Sequence, residues 1–155
     1  MELIAEYLET KKQLLAECFA IQTRLVETAK EAMKQAQESA NEEEGSLEEN
    51  YESFKSQLYM DRDMFARQVE EAINSFNQLR KIDLTKDSEA IALGSLVVTD
   101  TQKFFISISL GELTVEGKKY FAISTSTPLY KEMGGKRKGE TFNFRDKKYK
   151  ILEVY

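Results

Sequence analysis

The fold of this chain is decided by the nine residues EEEGSLEEN, at Glu42–Asn50. Helical patterning extends through residues 1–83 on both sides of this stretch, and Gly45 is the one helix-breaking residue within that range. Ser46 and Glu49 fit the capping box S-x-x-E, which predicts the start of a second helix. Because so short a connection joins two long helices, the sequence favours an antiparallel helical hairpin whose end, the tip, is this acidic stretch.

Both arms of the predicted hairpin carry apolar residues at alternating spacings of three and four, the a/d pattern of a coiled coil. The predicted seam of the first arm is Ile4, Leu8, Leu15, Cys18, Leu25, Ala29, Ala32 and Ala36, interrupted by Lys11 and Gln22. The predicted seam of the second arm is Leu47, Tyr51, Phe54, Leu58, Phe65, Val69, Ala72, Phe76 and Leu79. A single continuous helix that dimerises would also account for these apolar residues, but the Glu-rich break favours the hairpin.

The pattern of apolar and polar residues changes after a short polar linker at residues 84–90. Alternating β-branched and aromatic residues over 91–155 predict a small, mostly antiparallel sheet with one short helix. The predicted strands are 94–99, 103–110, 118–125, 140–145 and 148–154, the last two joined at Asp146 and Lys147, and the helix is 127–133, opened by Pro128. The predicted fold class is therefore α+β, with a long coiled-coil hairpin at 1–83 and a β domain at 91–155.

The composition excludes several classes of function. The chain has no histidine, which rules out Ser-His-Asp and Cys-His catalysis and a histidine-based zinc site. Any metal would need carboxylate ligands, which suit magnesium, manganese or calcium. No apolar run approaches the roughly 20 residues that span a bilayer, and the first residues lack the features of a signal peptide. Since Cys18 is the single cysteine and forms no intramolecular disulfide, we expect a cytoplasmic protein without a membrane segment.

Charge is distributed unevenly along the chain. Residues 1–83 carry a formal charge of −8 and residues 84–155 carry +3. Phosphate binding needs clustered Lys and Arg, so we expect no direct, sequence-specific DNA binding by the helical half. The basic runs at 136–138 and 147–148 are typical of a solvated surface, and contact with an acidic patch on a partner is the alternative.

The C-terminal residues carry spaced motifs that match a known family together. The segment ISTSTPL at 123–129 precedes MGGKRKGE at 133–140, and IALGSLV stands at 91–97. This arrangement resembles the C-terminal signature of the GreA/GreB transcript cleavage factors, I-S-x-x-S-P-[IL] followed by G-K-x-x-G-[DE], and the family's first strand. GSLEEN at 45–50 resembles the family's tip, G-D-L-[KS]-E-N, with Ser46 in place of the aspartate. The chain thus resembles a divergent member of this family, whose C-terminal domain is FKBP-like.

The resemblance implies a partner and a mode of action. Such factors insert their hairpin into the secondary channel of bacterial RNA polymerase, and the C-terminal domain docks at the mouth of that channel. Tip carboxylates help to hold a catalytic Mg²⁺ shared with the polymerase, which then cleaves the 3′ end of backtracked RNA. On this view the chain is a transcription elongation factor that is not itself an enzyme and binds no cofactor stably.

The resemblance also assigns roles to individual residues. Glu49 corresponds to the metal-assisting glutamate, and Glu44 or Glu48 could replace the missing aspartate. Polymerase docking falls on Thr127 and Pro128, with Gly111 and Glu112 as neighbours. Independently of the resemblance, local structure assigns structural roles to Gly45, Ser46, Gly135 and Gly139.

Local structure offers an alternative for each of these residues. The tip also fits a solvated acidic turn, because helix N-termini favour acids, and Thr127 with Pro128 also fits an ordinary helix start. Three functions remain open: a factor that stimulates cleavage, a channel-binding regulator without cleavage, and a coiled-coil interaction module unrelated to polymerase. Prolyl isomerase activity is not expected, since the aromatic pocket of those enzymes usually includes Trp and this chain has none.

Overall fold

The computed structural model describes residues 2–43, 51–86 and 88–155, which form two compact units. One unit is Ala20–Asn77, and its described residues are helical. The other combines Met1–Phe19 with Gln78–Tyr155 and contains a six-stranded sheet. None of the helices in the described ranges combines the length and the apolar character needed to cross a membrane.

The helical unit is built from two long antiparallel helices, α1 (Glu2–Glu43) and α2 (Tyr51–Arg80). The Gln22 side-chain amide donates to the Ala72 carbonyl at 2.8 Å, and the Arg62 guanidinium donates to the Gln37 side-chain oxygen at 3.4 Å. As residue numbers rise along α1, the numbers of their partners on α2 fall. The predicted antiparallel pairing of the two arms is therefore confirmed.

The buried line on α1 follows the predicted seam at Lys11, Cys18 and Gln22 and departs from it at Leu25. Leu25 was expected on the seam, but it is 47% exposed, whereas Gln22 is only 4% exposed. The buried residues Lys11, Leu14, Cys18 and Gln22 are separated by three, four and four positions. A straight α-helix drifts by about 20° per heptad relative to a strict seven-residue repeat, which moves the buried line away from Leu25. On α2 the predicted seam agrees better with the observed burial. Val69 and Leu79 are buried, and Leu58, Phe65, Ala72 and Phe76 are half-buried.

The sheet confirms the predicted α+β class and adds one strand. Its strands are β1 (Leu96–Thr99), β2 (Lys103–Ser107), β3 (Gly111–Val115), β4 (Lys118–Ser124), β5 (Thr141–Phe144) and β6 (Lys147–Val154), in the order β3-β4-β2-β1-β6-β5. Every pairing is antiparallel except that of β2 with β4, which is parallel.

Strand β3 is the element that the sequence prediction missed. It offers only Leu113 and Val115 as apolar residues, and it pairs with β4 through a tight turn at Glu116 and Gly117. Both turn residues have positive φ, +52° and +77°, as type I′ hairpin turns require. The alternation of Leu113 and Val115 before Glu-Gly was the signal for this hairpin.

One face of the sheet packs against the short helix α3 (Pro128–Met133). The core there consists of Ile91, Val97, Phe104, Ile106, Met133, Phe142, Tyr149 and Ile151. The ring of Phe142 stacks on Tyr149 at 4.9 Å, and Phe104 meets the same tyrosine edge-on at 6.1 Å. These ring contacts join β5 and β6 to the middle of the sheet.

The first part of α1 packs within the same unit through contacts with β2, the turn between β3 and β4, and the last residue. The thiol of Cys18 lies 3.8 Å from the Ser107 hydroxyl. The Gln13 side-chain amide donates to the Glu116 carboxylate at 3.1 Å. The ring of Tyr7 stacks on Tyr155 with centroids 3.7 Å apart. The N-terminal residues of α1 are thus part of the sheet unit.

The turn between β5 and β6 lies one residue earlier than predicted. Phe144 pairs with Lys147, so the two turn residues are Arg145 and Asp146, with φ of +51° and +63°. Positive φ costs about 1–2 kcal/mol for a residue with a Cβ atom, although Asp tolerates it better than most. This turn therefore carries local strain.

Relieving that strain should stabilise the protein. We predict that Arg145→Asn combined with Asp146→Gly raises the free energy of unfolding by about 1 kcal/mol, because Asn-Gly is the preferred type I′ pair. Urea unfolding followed by circular dichroism measures the change. The matched control is Lys148→Gly in the neighbouring strand, where glycine should destabilise by about 1 kcal/mol. A double variant no more stable than the parent would show that the turn is unstrained.

Cys18 should make stability depend on alkaline pH. Burial raises the pKa of its thiol to about 11 from an ordinary value of 9.0, with the Ser107 contact acting in the opposite direction. As pH rises, the unfolded chain loses this proton first. The contribution of Cys18 is therefore complete below about pH 9 and is lost toward pH 11.

The test compares urea unfolding of the parent and Cys18→Ala at about pH 8 and about pH 10. Burial also raises the pKa of Tyr155, to about 12, so both proteins should lose stability at alkaline pH. We expect the parent to lose more than Cys18→Ala between the two pH values. Equal losses would contradict the assignment to Cys18.

Candidate functional site

The tip residues singled out by the family resemblance lie outside the described residues. These residues are Glu44, Gly45, Ser46, Glu48 and Glu49. Their roles stay predictions. Within residues 2–43, 51–86 and 88–155, no three His, Cys, Asp or Glu side chains are grouped so that they could hold a metal ion.

The predicted docking residues Thr127 and Pro128 lie where the segment after β4 enters α3. Thr127 is the N-cap of α3: its hydroxyl accepts from the Tyr130 N–H at 3.3 Å and donates to the Ser124 carbonyl at 2.8 Å. Pro128 occupies the first turn, where the missing N–H costs no hydrogen bond. Both hydrogen-bonding capacities of the Thr127 hydroxyl are used inside the chain. Thr127 is half-buried, and Pro128 is exposed.

A chain of hydroxyl groups links this segment to the turn between β2 and β3. Ser109 donates to the Ser124 hydroxyl at 3.2 Å, and the Ser124 and Ser126 hydroxyls lie 2.8 Å apart. We call these three residues the serine cluster. The parallel pairing of β2 and β4 creates it, because Ser107 and Ser124 are opposite each other where both strands end.

The serine cluster was not among the residues predicted for the site. Ser124 and Ser126 belong to the motif at 123–129, so that motif was the signal for two of its members. No local pattern pointed to Ser109, because its contact spans 15 residues of sequence.

Gly111 and Glu112 lie beside the serine cluster at the start of β3. Gly111 is exposed, has φ of +74° and is opposite Ala122 in the sheet. The structure therefore brings Gly111 to the same end of the sheet as Thr127. Glu112 is the next residue along β3, and its carboxylate lies 3.5 Å from the Lys119 ammonium in an exposed ion pair. Exposed pairs of this kind contribute little to stability.

The two glycines predicted to have structural roles lie in the loop after α3. Gly135 and Gly139 have φ of +77° and +90°, which only glycine adopts without strain. The Gly135 N–H donates to Ile91 and the Gly139 N–H donates to Ile151, each at 2.8 Å. These bonds hold the loop to the segment before β1 and to strand β6.

The cap of α3 can be tested through stability. We predict that Thr127→Ala lowers the free energy of unfolding by about 1–2 kcal/mol, because it removes the cap and the hydrogen bond to Ser124. Thr127→Ser keeps the hydroxyl and should lose less than half as much. The matched control is Thr125→Ala, at an exposed position two residues earlier, which should change stability little. Equal effects of alanine at both positions would refute the capping role; urea unfolding measures all three variants.

The solved structures that are similar to this chain include two of the factor Gfh1. No protein-family model matches the chain, and no curated protein matches it. A structure of the transcription factor Gfh1 is 12% identical, with a TM-score of 0.33, and the match covers 88% of this chain and 92% of that one. The crystal structure of GreA factor homolog 1 (Gfh1) of Thermus thermophilus is 15% identical, with a TM-score of 0.34, over 92% of this chain and 93% of that one.

Proposed function

We propose that this chain is a cytoplasmic, Gre-type elongation factor that binds bacterial RNA polymerase and acts through its secondary channel. The observation that carries the proposal is the segment at 123–129. It resembles the family's C-terminal signature in sequence, with Thr127 at the position of the second serine, and it forms a capped, partly exposed segment at the same end of the sheet as Gly111.

In this proposal, neighbouring residues share the docking role. The Thr127 hydroxyl is engaged with Ser124 and Tyr130, so Thr127 positions the loop. Pro128 and Ser126 are exposed and present the contact surface to the polymerase. Gly111 and Glu112 extend this surface along the start of β3. Because the surface is small and polar, polymerase binding also needs contacts made by the helical hairpin.

The two long helices support this proposal. Helix α1 has 42 residues and is about 63 Å long, and α2 has 30 residues and is about 45 Å long. Their antiparallel pairing brings the end of α1 and the start of α2 to the same end of the helical unit. The acidic tip connects those two ends in sequence.

In this proposal the tip acts on the polymerase active site. Glu49 assists a Mg²⁺ ion shared with the polymerase, and Glu44 or Glu48 supplies the charge that Ser46 lacks. In two-metal chemistry such an ion activates water for attack on a phosphodiester. The chain is then not an enzyme by itself, because the polymerase supplies the reacting site.

A second candidate is a regulator that enters the channel without stimulating cleavage. Ser46 favours it, because a hydroxyl carries no negative charge where the family has an aspartate. Both candidates require binding to the polymerase, but they differ in what happens to backtracked RNA.

The deciding experiment uses a backtracked elongation complex of bacterial RNA polymerase with labelled RNA. We predict that the chain speeds shortening of the RNA in the presence of Mg²⁺. Glu49→Ala should abolish this stimulation and leave binding to core polymerase unchanged. Glu38→Ala is the matched control: it removes an exposed glutamate from α1 before the tip and should keep full activity.

Each other outcome selects a different conclusion. Binding with slower nucleotide addition and no RNA shortening would establish the regulator without cleavage. Full stimulation by Glu49→Ala would show that the tip assignment is wrong. Failure to bind core polymerase would overturn both candidates and leave an interaction module unrelated to polymerase.

A further inference from the structure

The two basic runs of the β domain differ in whether their charges are paired. In the run at 136–138, the Arg137 guanidinium lies 2.9 Å from the Glu89 carboxylate. The Lys138 ammonium lies 2.7 Å from the Glu153 carboxylate. Most of the charge of this run is therefore already balanced within the chain.

The end of the β5–β6 hairpin carries four cations of a different kind: Arg145, Lys147, Lys148 and Lys150. We call them the basic hairpin end. In the described part of the chain, no ion pair joins any of them to a carboxylate. The Arg145 guanidinium lies 5.1 Å from the Phe144 ring centroid, and the Lys147 ammonium lies 5.2 Å from that of Tyr149. Both cations are therefore held close to the hairpin.

Two carboxylates lie close to the basic hairpin end. Asp146 occupies the turn itself, and its positive φ belongs to the turn geometry. Asp100 accepts the main-chain N–H of Lys150 at 3.1 Å. Four cations against two carboxylates leave this end of the sheet positive, in a chain with a net charge of −5.

An exposed apolar residue follows two of these cations along β6. Along β6, Lys148, Lys150 and Leu152 are exposed, whereas Tyr149 and Ile151 are buried. Successive side chains of a strand point to opposite faces, so Lys148 and Lys150 share one face, about 7 Å apart along the strand. Leu152 follows them where the pairing of β6 with β1 shifts register between Ile151 and Glu153. Leu152 is 41% exposed. This part of β6 combines two unpaired ammonium groups with an apolar contact.

We propose that the basic hairpin end is a docking surface for an acidic protein segment that carries an apolar side chain. Carboxylates of the partner would pair with Lys148 and Lys150, and the apolar side chain would cover Leu152. Charge complementarity of this kind sets partner choice and speeds association. The inference is independent of the proposed polymerase function, because none of its residues belongs to the loop at 123–129 or to the tip.

The same surface is poorly suited to nucleic acid. Single-stranded nucleic acid is held by aromatic side chains on which bases stack. Here Phe142 and Tyr149 are buried in the core, and Phe144 is half-buried beneath Arg145. A phosphate backbone also offers no apolar group to cover Leu152.

The test measures binding of fluorescent probes by anisotropy. The probe is a short peptide of glutamate with leucine at every third position, and the comparison probes are an all-glutamate peptide and a single-stranded oligothymidine. The full chain should bind the leucine-containing peptide most tightly, with affinity falling as salt rises. Lys148→Glu combined with Lys150→Glu should weaken this binding at least tenfold. Leu152→Ser should weaken it severalfold and leave binding of the all-glutamate peptide unchanged.

The matched control is Lys118→Glu combined with Lys131→Glu, which changes the net charge equally at exposed positions elsewhere in the β domain. It should alter affinity less than twofold, and circular dichroism confirms that every variant is folded. An equal loss in the control would show non-specific attraction and overturn the proposal. Absence of peptide binding would also overturn it. Tighter binding of oligothymidine, lost in the Lys148 and Lys150 variant, would assign the surface to nucleic acid instead.

Discussion

The β domain depends on the burial of two consecutive phenylalanines in β2. Phe104 is 2% exposed and Phe105 is fully buried. Since neighbouring side chains in a strand point to opposite faces, this pair requires a cover on both faces of the sheet. Full burial of one such side chain is worth roughly 1.5–3 kcal/mol, so an uncovered face would be costly. Phe104 belongs to the core beneath α3. Phe105 belongs to the opposite face, as does Ser107, which contacts Cys18 of α1.

The same strand explains how the candidate docking surface is assembled. β2 pairs in parallel with β4, and the two strands end side by side at Ser107 and Ser124. The segments that follow them are therefore neighbours, although one enters a hairpin and the other enters α3. Ser109 reaches Ser124 across this boundary, and Thr127 fixes the start of α3 through the Ser124 carbonyl. The position of Pro128 thus follows from a strand pairing that joins residues far apart in sequence.

Charge has separate roles in the two parts of the chain. Residues 1–83 are strongly acidic, and their described side chains form few ion pairs, as expected of a solvated helix pair. In the β domain, some cations have carboxylate partners and others have none. Residues 136–138 are largely balanced by Glu89 and Glu153, whereas residues 145–150 carry an excess of positive charge. Two basic runs that look alike in sequence therefore present different surfaces to a partner.

Local patterns in the sequence predicted the features that depend on near neighbours. Regular apolar spacing without Gly or Pro predicted both long helices, and Thr-Pro predicted the start of α3. Alternation of apolar and polar residues predicted five of the six strands. It did not predict β3, which has few apolar residues. The motif at 123–129 identified Thr127 and Pro128, but Ser109 could not be found from local signals.

Features that depend on distant residues became visible only in the folded chain. Gln22 is buried because its amide reaches Ala72, 50 residues away, and Leu25 is exposed because the helix rotates it off the seam. The strand order and the pairing of Arg137 with Glu89 likewise join residues far apart along the chain. Local propensity acts over a few residues, whereas burial and ion pairing depend on which surfaces meet after folding. That difference separates what could be predicted here from what could not.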